Sequence, residues 1–170
     1  MANERKRGFF ERFVLPVLGI PLLAIAAVAF FPALALWVLS GLILGLIVRL
    51  RWVPGGTAGI FVYSESPTWH AHIEQNLLPR IEGRLEVLNW SERRKWEGNP
   101  IRTPLAVWVF RRWKRHREFN PMAIVFVPWW RPRVIRFWKA FKDFKHGKPE
   151  KVMALENELV GLLRPGDRRQ

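Results

Sequence analysis

Between Phe13 and Val48 the chain carries no charged residue over 36 consecutive positions. Glu4-Arg5-Lys6-Arg7 and Glu11-Arg12 stand before that run, and Arg49-Leu50-Arg51-Trp52 stands after it. A water-soluble domain almost never carries so long an uncharged run, so it reads as a membrane segment. A cleaved signal peptide is the competing reading, but its apolar region is only about 7–15 residues long. One straight helix over the run would be roughly 54 Å long, against a hydrocarbon core of about 30 Å. Pro16 and Pro21 disturb its first part, and Phe30-Phe31-Pro32 its middle. The spacing therefore predicts a transmembrane helical hairpin, with spans at 13–31 and 33–50 folded back at Pro32. A single tilted span near 30–50 behind an interfacial helix is the alternative.

Two crossings would return the chain to its starting side. With cations on both flanks, the basic segment 1–12 and everything after the hairpin are expected on the cytoplasmic side of an inner membrane. Gly41 and Gly45 form a GxxxG, a spacing that lets a second helix approach closely, and the first span is the expected neighbour. Arg49, Arg51 and Trp52 read as an anchor at the headgroup level.

Composition alone points elsewhere. The 170 residues hold 28 Lys and Arg against 14 Asp and Glu, a net charge of +14, with 14% aromatic residues. That combination invites a nucleic-acid reading. A hydrophobic fraction of 49% excludes a disordered basic tail. The absence of cysteine excludes a disulfide scaffold, a thiolate zinc site, an iron–sulfur cluster and dithiol redox chemistry. Residues 1–12 hold only four of the cations, so nearly all the surplus lies beyond the membrane segment.

After a linker at 51–58, in which Pro54-Gly55-Gly56-Thr57-Ala58 reads as a flexible joint, elements alternate. Gly59 to Tyr63 is a short apolar strand. Ser66-Pro67 supplies a cap and a first-turn proline for a helix with Trp69, Ile73, Leu77 and Ile81 at helical spacing, kinked by Pro79. Arg84 to Trp90 is a second strand. Thr103-Pro104 opens a helix with Leu105, Trp108, Val109 and Trp113 on one face, although a strand over Leu105 to Phe110 competes. Met122 to Val127 is a buried strand and Arg133 to Phe137 its return. Lys148-Pro149-Glu150 opens a last helix with Val152, Leu155, Leu159 and Leu162 inward, and 164–170 is a tail.

The order β-α-β-α-β-β-α, the kink proline Pro79 and the proline Pro121 just ahead of the third strand resemble the thioredoxin-like family over residues 59–163. The resemblance implies an α/β thioredoxin-like domain in which Pro121 is a cis-proline beside the family's active-site position. At that position, where the family carries CxxC, this chain has Ser64-Glu65-Ser66-Pro67-Thr68-Trp69. Without thiols, disulfide exchange has no nucleophile.

Other chemistry is sparse. His70 and His72 lie two apart, so a helix points them in different directions and they cannot form an i,i+4 metal pair. Glu65 and Glu74 flank the start of the helix, where a carboxylate complements the helix dipole. Ser64 and Ser66 lack a nucleophile-elbow context, and His116 lies among arginines. No enzyme, metal or cofactor is expected. The cations cluster at Arg93-Arg94-Lys95, at Arg111 to Arg117, at Arg131-Pro132-Arg133, and at Lys139, Lys142, Lys145 and Lys148. Trp96, Trp113, Trp129, Trp130, Trp138, Phe141 and Phe144 interleave with them. Trp129, Trp130, Arg131 and Arg133, at the tip of a hairpin, form the expected partner-binding patch, since Trp and Arg are enriched in interface cores.

The expected role is a non-catalytic accessory subunit of a larger inner-membrane complex, photosynthetic or respiratory first. Its partners would be other membrane-protein subunits and anionic lipid headgroups. A membrane-tethered enzyme of the thioredoxin-like class that borrows a partner's thiols, and a tethered nucleic-acid binder, are the alternatives. The short tether, which holds the domain against the membrane, makes nucleic acid the less favoured partner.

Overall fold

The computed structural model describes residues 15–96, 103–114, 120–126 and 132–164. By contacts the chain divides into two units, Met1–Ile43 and Leu44–Gln170.

The first unit contributes most of α1, a single helix over Leu15–Trp52. The expected hairpin is absent: the helix runs through Pro32 without a break. Proline at 32 removes one backbone donor, at a cost of about 3 kcal/mol. A reversal there would strand several backbone groups, and Phe30, Phe31 and Ala33 offer none of the Gly, Asn or Asp chemistry that tight turns use. One lost hydrogen bond is the smaller cost. Over Ala26–Trp52 the helix is long and apolar enough to cross a membrane. Phe30, Phe31, Leu36, Trp37 and Leu42 are all exposed, so large apolar groups face outward on every side.

The second unit is built on a four-stranded sheet in the order β2-β1-β3-β4, with β1 Gly59–Tyr63, β2 Leu85–Asn89, β3 Met122–Val125 and β4 Arg133–Arg136. β1 pairs parallel with β2 and antiparallel with β3, and β3 pairs antiparallel with β4. The central strands β1 and β3 are buried throughout, which explains their unbroken apolar sequence. Gly59 is fixed by packing: a Cβ there would collide with the Ile124 carbonyl on β3.

Strand alternation sends the two sets of side chains to opposite faces. Phe61, Tyr63, Ala123, Val125 and Ile135 pack with the helices α2, α4 and α5. Of these, α2 runs through His70–His72, Ile73–Leu77 and Leu78–Ile81, α4 is Trp138–Lys145 and α5 is Glu150–Leu162. The middle of α2 is π-helical, and Leu78 N–H bonds to the Ile73 carbonyl five residues back. Pro79 has no N–H to continue the α ladder, so the expected kink is taken up as a π turn just before it.

Ile60, Val62, Leu88, Met122 and Ile124 fill the other face with α3, Leu105–Trp113, and with the end of α1. Val48 is fully buried there, and Trp52 meets Phe126 edge-on at 6.1 Å between ring centroids. Trp52 is thus a core residue and not the headgroup anchor that its place beside two arginines suggested; Arg49 and Arg51 remain exposed. The segment after it is no free joint either. Thr57 N–H bonds to the Trp52 carbonyl at 3.0 Å, Ala58 N–H to that of Arg84 at 2.7 Å, and Phe126 N–H to that of Ala58 at 2.8 Å.

Two further expectations change. The run from Leu105 is a helix and not a strand, but its buried side is Ala106, Val107, Val109 and Phe110, while Trp108 faces out. Helix α4 adds an element to the expected order, giving β-α-β-α-β-β-α-α. Its lysines had read only as a charge cluster.

Candidate functional site

The carboxyl ends of β1 and β2 lie side by side, and the Asn120–Pro121 bond, which is cis, stands just ahead of β3 on the other side of β1. This edge of a parallel pair is where α/β folds place ligands, and it gathers most of the polar residues singled out from the sequence. Ser64 Oγ donates to Asn120 Oδ1 at 3.4 Å. The Trp69 indole N–H donates to the Ser64 carbonyl at 3.0 Å, closing the loop that leads into α2. Across the β1–β2 ends, Asn89 Nδ2 donates to Glu65 Oε1 at 2.8 Å, and Glu65 N–H donates to Ser91 Oγ at 2.9 Å. Ser66 caps the loop weakly, accepting from Thr68 N–H at 3.4 Å.

Tyr63 is the electrostatic centre of this edge. Its hydroxyl donates to Glu74 Oε1 at 3.1 Å, and its ring stacks on His70 at 6.1 Å between centroids. Burial and the Glu74 hydrogen bond, with the negative field of Glu74, Glu65 and Glu92, push the phenol up to about 12. It stays protonated and acts as a donor. His70 lies 3.7 Å from Glu74. The arrangement is a set of polar contacts that ties the loop after β1 to the end of β2 and to Asn120, while the buried His70 Nδ1 has no hydrogen-bond partner among the described residues. No group of three or more His, Asp or Glu among the described residues is arranged to hold a metal ion.

The other histidine serves a brace that the sequence reading missed. His72 Nε2 lies 2.7 Å from Oε1 of Glu156, and Arg80 reaches Oε2 at 3.3 Å and Asn157 Oδ1 at 3.0 Å. Glu156 is only 4% exposed, the one charged residue in the described core. Its signal was available: Glu156 falls four after Val152 and three before Leu159, on the face read as apolar.

The remaining site residues are scattered. Gly41 and Gly45 sit on α1, and a Cβ at Gly45 would meet nothing within 4 Å, so the expected contact with a first span does not exist. Arg51 acts on Glu86 of β2. Burial pushes the Glu86 carboxyl up, while a hydrogen bond from Trp52 and the Arg51 charge pull it down. Trp129, Trp130, Arg131 and His116 lie outside the described residues. Arg133, on edge strand β4, is exposed and 3.7 Å from Glu158. Cations also cover rings on the helices: Arg111 lies 5.9 Å from the Trp108 centroid, and Lys142 lies 3.8 Å from that of Trp138.

Comparison of the chain with family models, with curated proteins and with solved structures finds no match.

Proposed function

We propose that this protein is a membrane-anchored, non-catalytic binding module of thioredoxin-like architecture, acting as an accessory subunit of a larger membrane-protein complex. The observation that carries the reading is the surface of α1, whose large apolar side chains are left uncovered by the rest of the chain. From Leu22 to Ile43 the helix rises about 33 Å at 1.5 Å per residue, close to the thickness of a bilayer core. Gly41 and Gly45, with open space where a Cβ at Gly45 would stand, then offer a close-packing face to a helix of another subunit. A photosynthetic or respiratory complex is the setting we would examine first.

The thioredoxin-like assignment is supported by the sheet order β2-β1-β3-β4, by one parallel and two antiparallel pairings, and by the cis bond before Pro121 at the β1 edge. That edge carries no thiol, and Ser64, Glu65, Tyr63 and Asn89 are hydrogen-bonded within it. Those features favour binding over exchange chemistry, including exchange with a partner's thiols. Basic side chains on the domain suit anionic headgroups as well as acidic protein surfaces.

One crossing changes the expected topology. A single α1 separates 1–12 from the domain, so only one of these two basic parts lies on the cytoplasmic side.

Extraction of native membranes in mild detergent tests the reading. Migration with other membrane subunits, well above the 20.0 kDa of the chain, is the expected result. Migration alone as a monomer overturns it.

A further inference from the structure

Between α4 and α5 the surface opens into a groove of about 650 Å³, within the roughly 300–1,000 Å³ of ligand-sized sites. Its wall is cationic: Arg136 comes from the end of β4, Lys139 and Lys142 from α4, and Lys151 from the first turn of α5. The one carboxylate in the lining is Asp143, and Lys151 already holds it, Nζ to Oδ2 at 2.5 Å. That hydrogen bond keeps the Asp143 carboxyl below its ordinary range. The groove therefore carries positive charge in excess. Trp138 and Ala140 on α4 and Ala154 and Leu155 on α5 form its apolar part, and the small side chain of Ala154 leaves room for another backbone to come close.

Two features narrow the occupant. Lys142 lies against the Trp138 ring at 3.8 Å, so one face of that indole is taken by its own chain. A groove bounded by two helices, with an apolar strip and a charged wall, has the form that receives an amphipathic helix.

We propose that the α4–α5 groove docks an acidic amphipathic helix of a partner protein. The apolar side of that helix lies on Ala154 and Leu155, and its carboxylates face Lys139 and Lys142. The inference rests on the accessory-subunit reading and names the chemistry of one partner segment.

The test uses the full chain in nanodiscs of zwitterionic lipid. The probe is a fluorescein-labelled synthetic helix of about 15 residues, or about four turns, with Leu along one stripe and Glu elsewhere. Fluorescence anisotropy should report binding that weakens about tenfold in the double variant Lys139→Glu with Lys142→Glu. An equal change of charge at the end of α3, Arg111→Glu with Lys114→Glu, should leave it unchanged. Ala154→Glu, at an exposed position, gives an independent block should the lysine variant fail to fold. A peptide with Lys in place of Glu should not bind.

Equal losses in the groove and α3 variants would mean diffuse charge attraction and overturn the inference. So would equal binding of a scrambled peptide of the same composition, or displacement of the helix by inositol hexakisphosphate at equimolar concentration, which would mark a small-polyanion site. Loss of peptide binding in a protein that still migrates with partners removes the groove and leaves the accessory role. A lone monomer that binds the peptide does the reverse.

Discussion

His72 on α2 and Glu156 on α5 meet at 2.7 Å through Nε2 and Oε1, tying together two helices that cover the same face of the sheet. The carboxylate is 4% exposed, whereas the Arg80 side chain that shares it is 40% exposed and can return to water. Removing the acid therefore strands mainly the histidine. Glu156→Ala should lower stability by about 2 kcal/mol, below the 3–5 kcal/mol of a fully buried pair. Glu156→Gln, which keeps a hydrogen-bond acceptor, should cost less. Thermal unfolding of the detergent-solubilised chain, followed by circular dichroism, checks the order; a larger loss for Gln than for Ala would contradict it.

Tyr63 is the only tyrosine in the chain, so tyrosinate absorbance near 295 nm reports one group. Its midpoint should lie near 12 in the folded protein and near 10 after unfolding. Because the folded value is the higher, the associated stability is complete below about 10 and is lost as pH rises towards about 12. Glu74→Gln should move the folded midpoint down, since it removes a nearby negative charge and leaves only a neutral acceptor for the phenol. A folded midpoint of about 10 would remove Tyr63 from the polar edge.

Gly59→Ala should be far more damaging than Gly147→Ala. The first change pushes a methyl group into the Ile124 carbonyl between two central strands. The second meets open space and suffers only from a positive φ of 77°, a cost of about 1 kcal/mol. Folded yield and melting temperature separate the two; similar losses would show that the β1–β3 approach is looser than described.

Trp52→Ala should cost about 3–5 kcal/mol, the range of a buried aromatic truncation. The exposed Leu36→Ala on the same helix should leave the melting temperature unchanged within about 0.5 kcal/mol. A harmless Trp52→Ala would return that ring to the lipid headgroups.

Single cysteines introduced into this cysteine-free chain carry no background. With one membrane crossing, an impermeant maleimide applied to intact cells should label a cysteine at only one of two positions, Ala2 or the exposed Glu82. Labelling of both, or of neither, would reinstate the hairpin.

Much of the domain was legible because its elements end in local chemistry. Thr103-Pro104 and Lys148-Pro149 each precede a helix, and the short apolar runs at 59–63 and 122–125 are central strands. The misreadings share a cause: each residue was judged by its sequence neighbours and the structure judged it by its packing partners. Pro32 looked like a turn, but no turn residues stood beside it. Trp52 looked interfacial because two arginines flank it, yet Phe126, 74 residues later, covers it. Phe137, Phe141 and Phe144 held the helical spacing of α4, hidden among lysines that drew attention to charge. The polar edge was half visible: Ser64, His70 and Glu74 were each noted, but Asn89, Ser91 and Asn120 arrive from distant segments.

The burial of Val48 and Trp52 among Phe126, Leu88 and Ile124 bears on how this chain can be divided. The linker expected from the sequence runs over 51–58, yet a fragment cut within it at Pro54 would leave an apolar hollow where those two side chains sit. Protease trimming or gene fusion at that point would yield an incomplete body and not a free-standing one. The natural cut lies near Leu44, inside the helix, so the last turns of the anchor are inherited with the domain.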